Sequence, residues 1–245
     1  MLRISIVAAV ALAVAGRLRW ATVAIAALLF AIGIRYQIAG KYGFQFHGGL
    51  WKYPEAAANF ILEHKLQGRI FNTYNQGGYL IWKLWPQQQV FFDGRALNEK
   101  VFEDATRIAM YADASDGKSS EQLLKDYGID IILMDGFDST SGTAFFLPAA
   151  LADPSLKEWK LVFRDMHDVI YMRNPPPGVP VLPSLDALDA LEEQCALWVR
   201  HNKPLCSRGM LDIFIRVGDR VRSDKWNAVY QQYRYAEKQF TVVPR

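Results

Sequence analysis

Cysteine is scarce in this chain of 245 residues: Cys195 and Cys206 are the only two, and neither lies in a Cys-x-x-Cys spacing. A zinc or iron–sulfur site is therefore not indicated. The four histidines, His47, His64, His167 and His201, show no metal-ligand spacing either. The basic residues form no Lys/Arg block, and a formal net charge of +3 over this length is too small to point to nucleic acid. Neither Gly-x-Gly-x-x-Gly nor Gly-x-x-x-x-Gly-Lys-Ser/Thr occurs, which argues against dinucleotide and nucleoside-triphosphate cofactors. No Gly-x-Ser-x-Gly elbow is present. No catalytic residue, metal or cofactor is assigned from the sequence.

What is there begins with two uncharged runs. Ile4–Ala15 is followed by Arg17-Leu18-Arg19, then by Trp20–Ile34. One helix across both runs would place two arginines near a bilayer centre, at about 2.5–3.5 kcal/mol each. The runs are thus separate, as a transmembrane helix hairpin over residues 1–38. At 1.5 Å per residue, residues 1–16 give roughly 24 Å and residues 20–38 roughly 28 Å of helix. A secretory signal peptide is the rival for the first run, because Arg3, an apolar core and Ala13-Val14-Ala15 fit its three-part plan. Arg17 and Arg19 on the cytoplasmic side would send the rest of the chain outward, although Arg35, Lys41 and Lys52 leave a thin charge margin.

Residues 39–175 read as an α/β domain. Pro54 opens a helix that Gly68 ends, and Arg69–Asn72 is a strand. A short helix over Tyr79–Leu84 and a strand over Gln89–Asp93 complete a βαβ unit. A helix from Asn98, a capped helix over Ser120–Tyr127 and the apolar strand Ile131–Met134 follow. Trp159–Arg164 and Val169–Arg173 form a closing hairpin. The expectation is a three-layer α/β sandwich with a mostly parallel sheet and an antiparallel edge hairpin. The prolines at 175–177, 180 and 183 mark its end. Residues 176–245 then carry two or three helices, a C-terminal α-helical tail whose last pair looks like one tetratricopeptide (TPR-like) repeat.

In an open parallel sheet the loops at the strands' carboxyl ends converge. That gathers Asn72, Tyr74, Asn75, Gly77 and Gly78 with Asp93 and Arg95, the candidate ligand-binding set. Gly77 and Gly78 at a helix start offer free N–H groups to an anion, or simply let the helix pack against the sheet. Arg95 is either a contact for phosphate or carboxylate or the internal partner of Asp93. Tyr74, Tyr79, Trp82 and Trp85 either stack a sugar ring or pack a core. Cys195 and Cys206, eleven positions apart across a helix–turn–helix, either bridge in an oxidising compartment or stay unpaired.

The run Phe71-Asn72-Thr73-Tyr74-Asn75-Gln76-Gly77-Gly78-Tyr79-Leu80-Ile81-Trp82, with Pro86 and Phe91-Phe92-Asp93-Gly94-Arg95 after it, carries a resemblance. It is similar to the soluble C-terminal region of bacterial multi-span membrane proteins related to polyprenol-phosphate-sugar-dependent (GT-C-type) glycosyltransferases. The likeness covers about Trp20 to Asn174. It implies an inner-membrane location with the soluble part in the periplasm. Such enzymes carry their catalytic carboxylate in an early loop between spans, and this chain has at most two spans and no such loop. The resemblance thus implies a non-catalytic, membrane-anchored module that binds a glycan, a lipid-linked sugar or a multi-span membrane partner. A subunit or fragment of a glycosyltransferase is the alternative. A stand-alone α/β hydrolytic enzyme is a third reading.

Overall fold

The computed structural model describes residues 53–95, 98–112, 117–138, 141–200 and 206–241, together with residues 16, 20, 23, 25, 27–32 and 35. Two compact units emerge, Met1–Gly49 and Leu50–Arg245. In the first, the described positions are helical, and Trp20, Leu28, Leu29 and Phe30 are exposed apolar side chains. Among the described residues no helix is long and apolar enough to cross a membrane. The expected hairpin gains no support from them, and most of its two spans lies outside the described residues.

The second unit is mixed α/β. In chain order it comprises α1 (Glu55–Glu63), β1 (Arg69–Asn72), α2 (Gly77–Leu84), α3 (Glu99–Ala109), α4 (Ser120–Asp126), β2 (Ile129–Met134), α5 (Leu147–Leu151), β3 (Lys160–Arg164) and β4 (Val169–Met172). The tail supplies α6 (Asp186–Arg200), α7 (Cys206–Arg216) and α8 (Arg220–Thr241). Local chemistry sets several of the boundaries. The Asn98 side chain accepts from Val101 N at 3.2 Å to start α3, and Ser119 Oγ accepts from Gln122 N at 3.2 Å to start α4. Gln122 does not complete a capping box, because its amide donates instead to Asp126 Oδ1 at 2.8 Å. Gly128, at φ +63°, ends that helix in a left-handed turn and launches β2.

The four strands form one sheet in the order β1-β2-β4-β3. Only β1 and β2 are parallel, and both pairings of β4 are antiparallel. The sheet is therefore mixed rather than mostly parallel. The reason lies beside β1, where the Gln89–Asp93 run contributes a single parallel bridge, Ile70 to Val90. Asn72 takes over the next positions with its side chain: Oδ1 accepts from Phe91 N and Nδ2 donates to Phe92 O, both at 2.9 Å. A buried amide thus stands in for the ladder of a further strand.

Helices cover both faces. Ala57, Ala58 and Ile61 of α1 and Leu80 and Leu84 of α2 pack on Ile70, Ile131, Leu133, Val162 and Ile170. The opposite face joins Phe71, Ile132, Met134 and Tyr171 to α3, α4 and α5, and also to Leu188 and Leu191 of α6, Met210 and Phe214 of α7 and Trp226 of α8. Strand alternation divides the two cores, since successive residues point to opposite faces. Cys195 and Cys206 are joined by a disulfide, with their α-carbons 5.6 Å apart, and both are buried in this second core. The tail and the sheet share one hydrophobic core across the prolines.

Candidate functional site

The loop after β1 is the origin of three arrangements. First, Asn72 is buried, and its amide also donates to Thr73 O at 2.9 Å, so its polar atoms are engaged with the backbone. Gly77 is demanded by contact: a β-carbon there would lie 2.3 Å from Phe92 O and 2.6 Å from Asp93 Cα. Nothing lies within 4 Å of one at Gly78. The first glycine lets α2 press against the 92–93 backbone, and the second has no such duty.

Second, Asp93 and Arg95 bond each other. Arg95 N and Nε donate to Asp93 Oδ1 at 2.9 Å, and Nε also reaches Oδ2 at 3.1 Å. Those hydrogen bonds, more than the charge itself, hold the Asp93 carboxyl down at about 2. The Arg95 side chain is 69% exposed and that of Asp93 only 12%. Tyr74 closes the turn with a 2.7 Å bond from its hydroxyl to Gly94 O, and Asn75 Nδ2 donates to Asp138 Oδ2 at 3.4 Å. Of the candidate set, Asn72 and Tyr74 line the cavity described next, whereas Asp93 and Arg95 face one another. Arg95→Ala is expected to melt close to wild type, because the exposed guanidinium is screened and Arg95 N–H still holds Asp93. A large drop in melting temperature would contradict that reading.

Third, a cavity of about 610 Å³ opens between the carboxyl ends of β1 and β2 and the helix α3. Phe71, Tyr74, Phe92, Phe102, Met110 and Phe145 make its walls, and Thr73, Glu99, Asp138 and Thr143 supply polar atoms. Tyr74 and Phe102 meet edge to face, with centroids 6.0 Å apart. Among the described residues that line it there is no lysine or arginine. Such a surface suits an apolar or ring-bearing ligand with hydroxyls better than a bare anion.

Behind the loop lies a buried polar cluster that the sequence did not reveal. Asp135, at the end of β2, is buried and accepts from Thr73 Oγ1 at 2.9 Å. Asp168, at the start of β4, is buried and accepts from Gln76 Nε2, with His167 Nδ1 2.8 Å from its other oxygen. Asp165 Oδ1 accepts from the backbone N–H of His167 and of Asp168 at 2.7 Å, which sets the turn. Gly136 N donates to Gln194 Oε1 at 3.0 Å and ties the cluster to α6. Gln76 Oε1 is buried with no hydrogen-bond partner among the described residues.

Burial, with the Asp168 charge, pushes Asp135 up to about 7. Burial also raises Asp168, against the hydrogen bonds from His167 and Gln76. For His167, burial works against the charged ring, but the Asp168 carboxylate outweighs it and holds the imidazole at about 9. Perturbed titratable groups of this kind mark functional sites as well as structural networks. The void beside them is too small for a water molecule, which leaves no room for a substrate. Among the described residues no group of three His, Cys, Asp or Glu is placed to hold a metal. Set against protein-family models, curated proteins and solved structures, the chain matches none.

Proposed function

We propose that this chain is a membrane-anchored, extracytoplasmic module of the bacterial inner membrane that binds a lipid-linked sugar without turning it over. The observation that carries the reading is the cavity between β1, β2 and α3. Its aromatic walls fit a sugar ring or an isoprenoid chain, and Asp138, Glu99 and Thr143 at its edge supply acceptors for hydroxyls. The Cys195–Cys206 disulfide supports an oxidising compartment, because cytoplasmic thiols are kept reduced. The exposed apolar positions of the first unit, and the uncharged run that contains them, support the anchor. A multi-span membrane protein that presents the lipid is the partner this role calls for.

The test uses the full chain in nanodiscs that contain a polyprenyl-phosphate hexose. Thr106 is exposed at the cavity wall, so Thr106→Trp fills the opening without entering the core. Wild type is expected to bind the lipid, and the variant to bind at least about tenfold more weakly, the loss of roughly 1.4 kcal/mol, with its melting temperature unchanged. Equal binding by both proteins, or by neither, overturns the assignment of the cavity.

A further inference from the structure

The helix α2 presents two faces of opposite character. Leu80 and Leu84 are fully buried, whereas Trp82 is 74% and Trp85 64% exposed. Tyr79 lies three positions before Trp82, with ring centroids 5.5 Å apart, and Tyr53 stacks on Tyr79 at 5.2 Å. Tyr53, Tyr79 and Trp82 thus form a chain of ring contacts, and Trp85, three positions beyond Trp82 at the end of the same helix, is exposed as well. Exposed tryptophan is costly in water, and among the described residues neither Trp82 nor Trp85 belongs to either core. Tryptophan and tyrosine instead concentrate where an apolar ring body meets the headgroup layer and a polar tip meets water.

The position of the patch along the chain selects its occupant. Tyr53 comes fifteen positions after Ile38, the end of the second expected span, which contains the uncharged run Trp20–Ile34. Fifteen residues reach at most about 50 Å fully extended. If that run is seated in the bilayer, the patch is held within a short tether of the lipid surface throughout the life of the protein.

We infer that the Tyr53–Tyr79–Trp82–Trp85 face lies in the interfacial headgroup region of the membrane that anchors the chain. This inference rests on the anchored reading given under the proposed function. It orients the globular unit on the membrane, with the α1–α2 side toward lipid, rather than leaving it to tumble on its tether.

Full-length protein is reconstituted in phosphatidylcholine–phosphatidylglycerol vesicles, with and without phosphatidylcholine brominated near the headgroup. Fluorescence is compared between wild type and Trp82→Phe/Trp85→Phe, whose difference isolates the two residues from the other tryptophans. Both are exposed, so the variant is expected to melt as wild type does. The difference signal is expected to fall at least twofold in brominated vesicles and to resist aqueous iodide. If the protein floats with the vesicles while the difference signal ignores bromine and is fully quenched by iodide, the inference is overturned and the anchor stands. Resistance to iodide without bromine quenching points to a protein partner and also overturns it. If the protein does not float, the anchored reading falls and this inference with it.

Discussion

His167→Ala is expected to cost about 3–5 kcal/mol of stability, because it leaves the buried Asp168 carboxylate without its charged partner. The Asp168 side chain is 1% exposed and that of His167 14%, so water cannot replace the lost bond as it does at Arg95. Gln76 remains a neutral donor to Asp168, and its own carbonyl oxygen already lacks a partner. The orphaned carboxylate can escape by taking up a proton at pH 5, whereas at pH 8 the unaltered protein has itself given back part of the His167 contribution, so the loss is read at both. Chemical denaturation at the two pH values measures it. Asp168→Asn on the His167→Ala background should return part of the loss at pH 8. A loss under about 1 kcal/mol at pH 8 would mean that the pair is solvated, contrary to its burial.

The pH dependence of the unaltered protein is the second large effect. Asp135 sits near 7 in the fold and near 3.8 when unfolded. Its contribution to stability is fully present below 3.8 and is lost as pH rises through 7. His167 is raised from 6.5 to about 9, so its contribution is fully present below 6.5 and is lost as pH rises through 9. Both groups act in the same direction, and so does Asp168, whose carboxyl burial also raises. With Asp135 protonated, His167 charged and Asp168 ionised, these three groups sum to zero charge. Loss of the first proton leaves one uncompensated buried negative charge, and loss of the second leaves two. Asp93, held at about 2, works oppositely, and its contribution is lost only as pH falls from 3.8 through 2. Stability should therefore peak near pH 4–5 and fall on the order of 7 kcal/mol by pH 9.5, at about 1.4 kcal/mol per unit of each shift. Asp135→Asn should flatten the curve between pH 4 and 7, since an amide has no proton to lose and still accepts from Thr73. A profile flat from pH 5 to 9 in the unaltered protein would show that the cluster is wet.

Local signals in the chain determined the elements themselves. Pro54 opens α1, Ser119 and Gly128 bracket α4, and the alternation around Asp165–Asp168 makes the β3–β4 hairpin, because caps and turns depend on neighbours within four residues. The helix α1 itself ends at Glu63 in a turn with Lys65 at φ +50°, ahead of the expected Gly68. The side-by-side placement of Ile70 and Val90 also follows from a short connection between them. Tertiary structure decided the rest. Whether Gln89–Asp93 becomes a strand depended on a buried amide, Asn72, competing for the same backbone groups, and no hydrophobic period records that competition. Sheet direction depended on β4 seating itself between β2 and β3. Thr73, Gln76, Asp135 and His167-Asp168 come from three separate stretches, each polar residue unremarkable in its own loop. Only the convergence of β1, β2 and β4 at one buried edge makes them a charged cluster, because desolvation and Coulomb energy depend on distance in space and not along the chain.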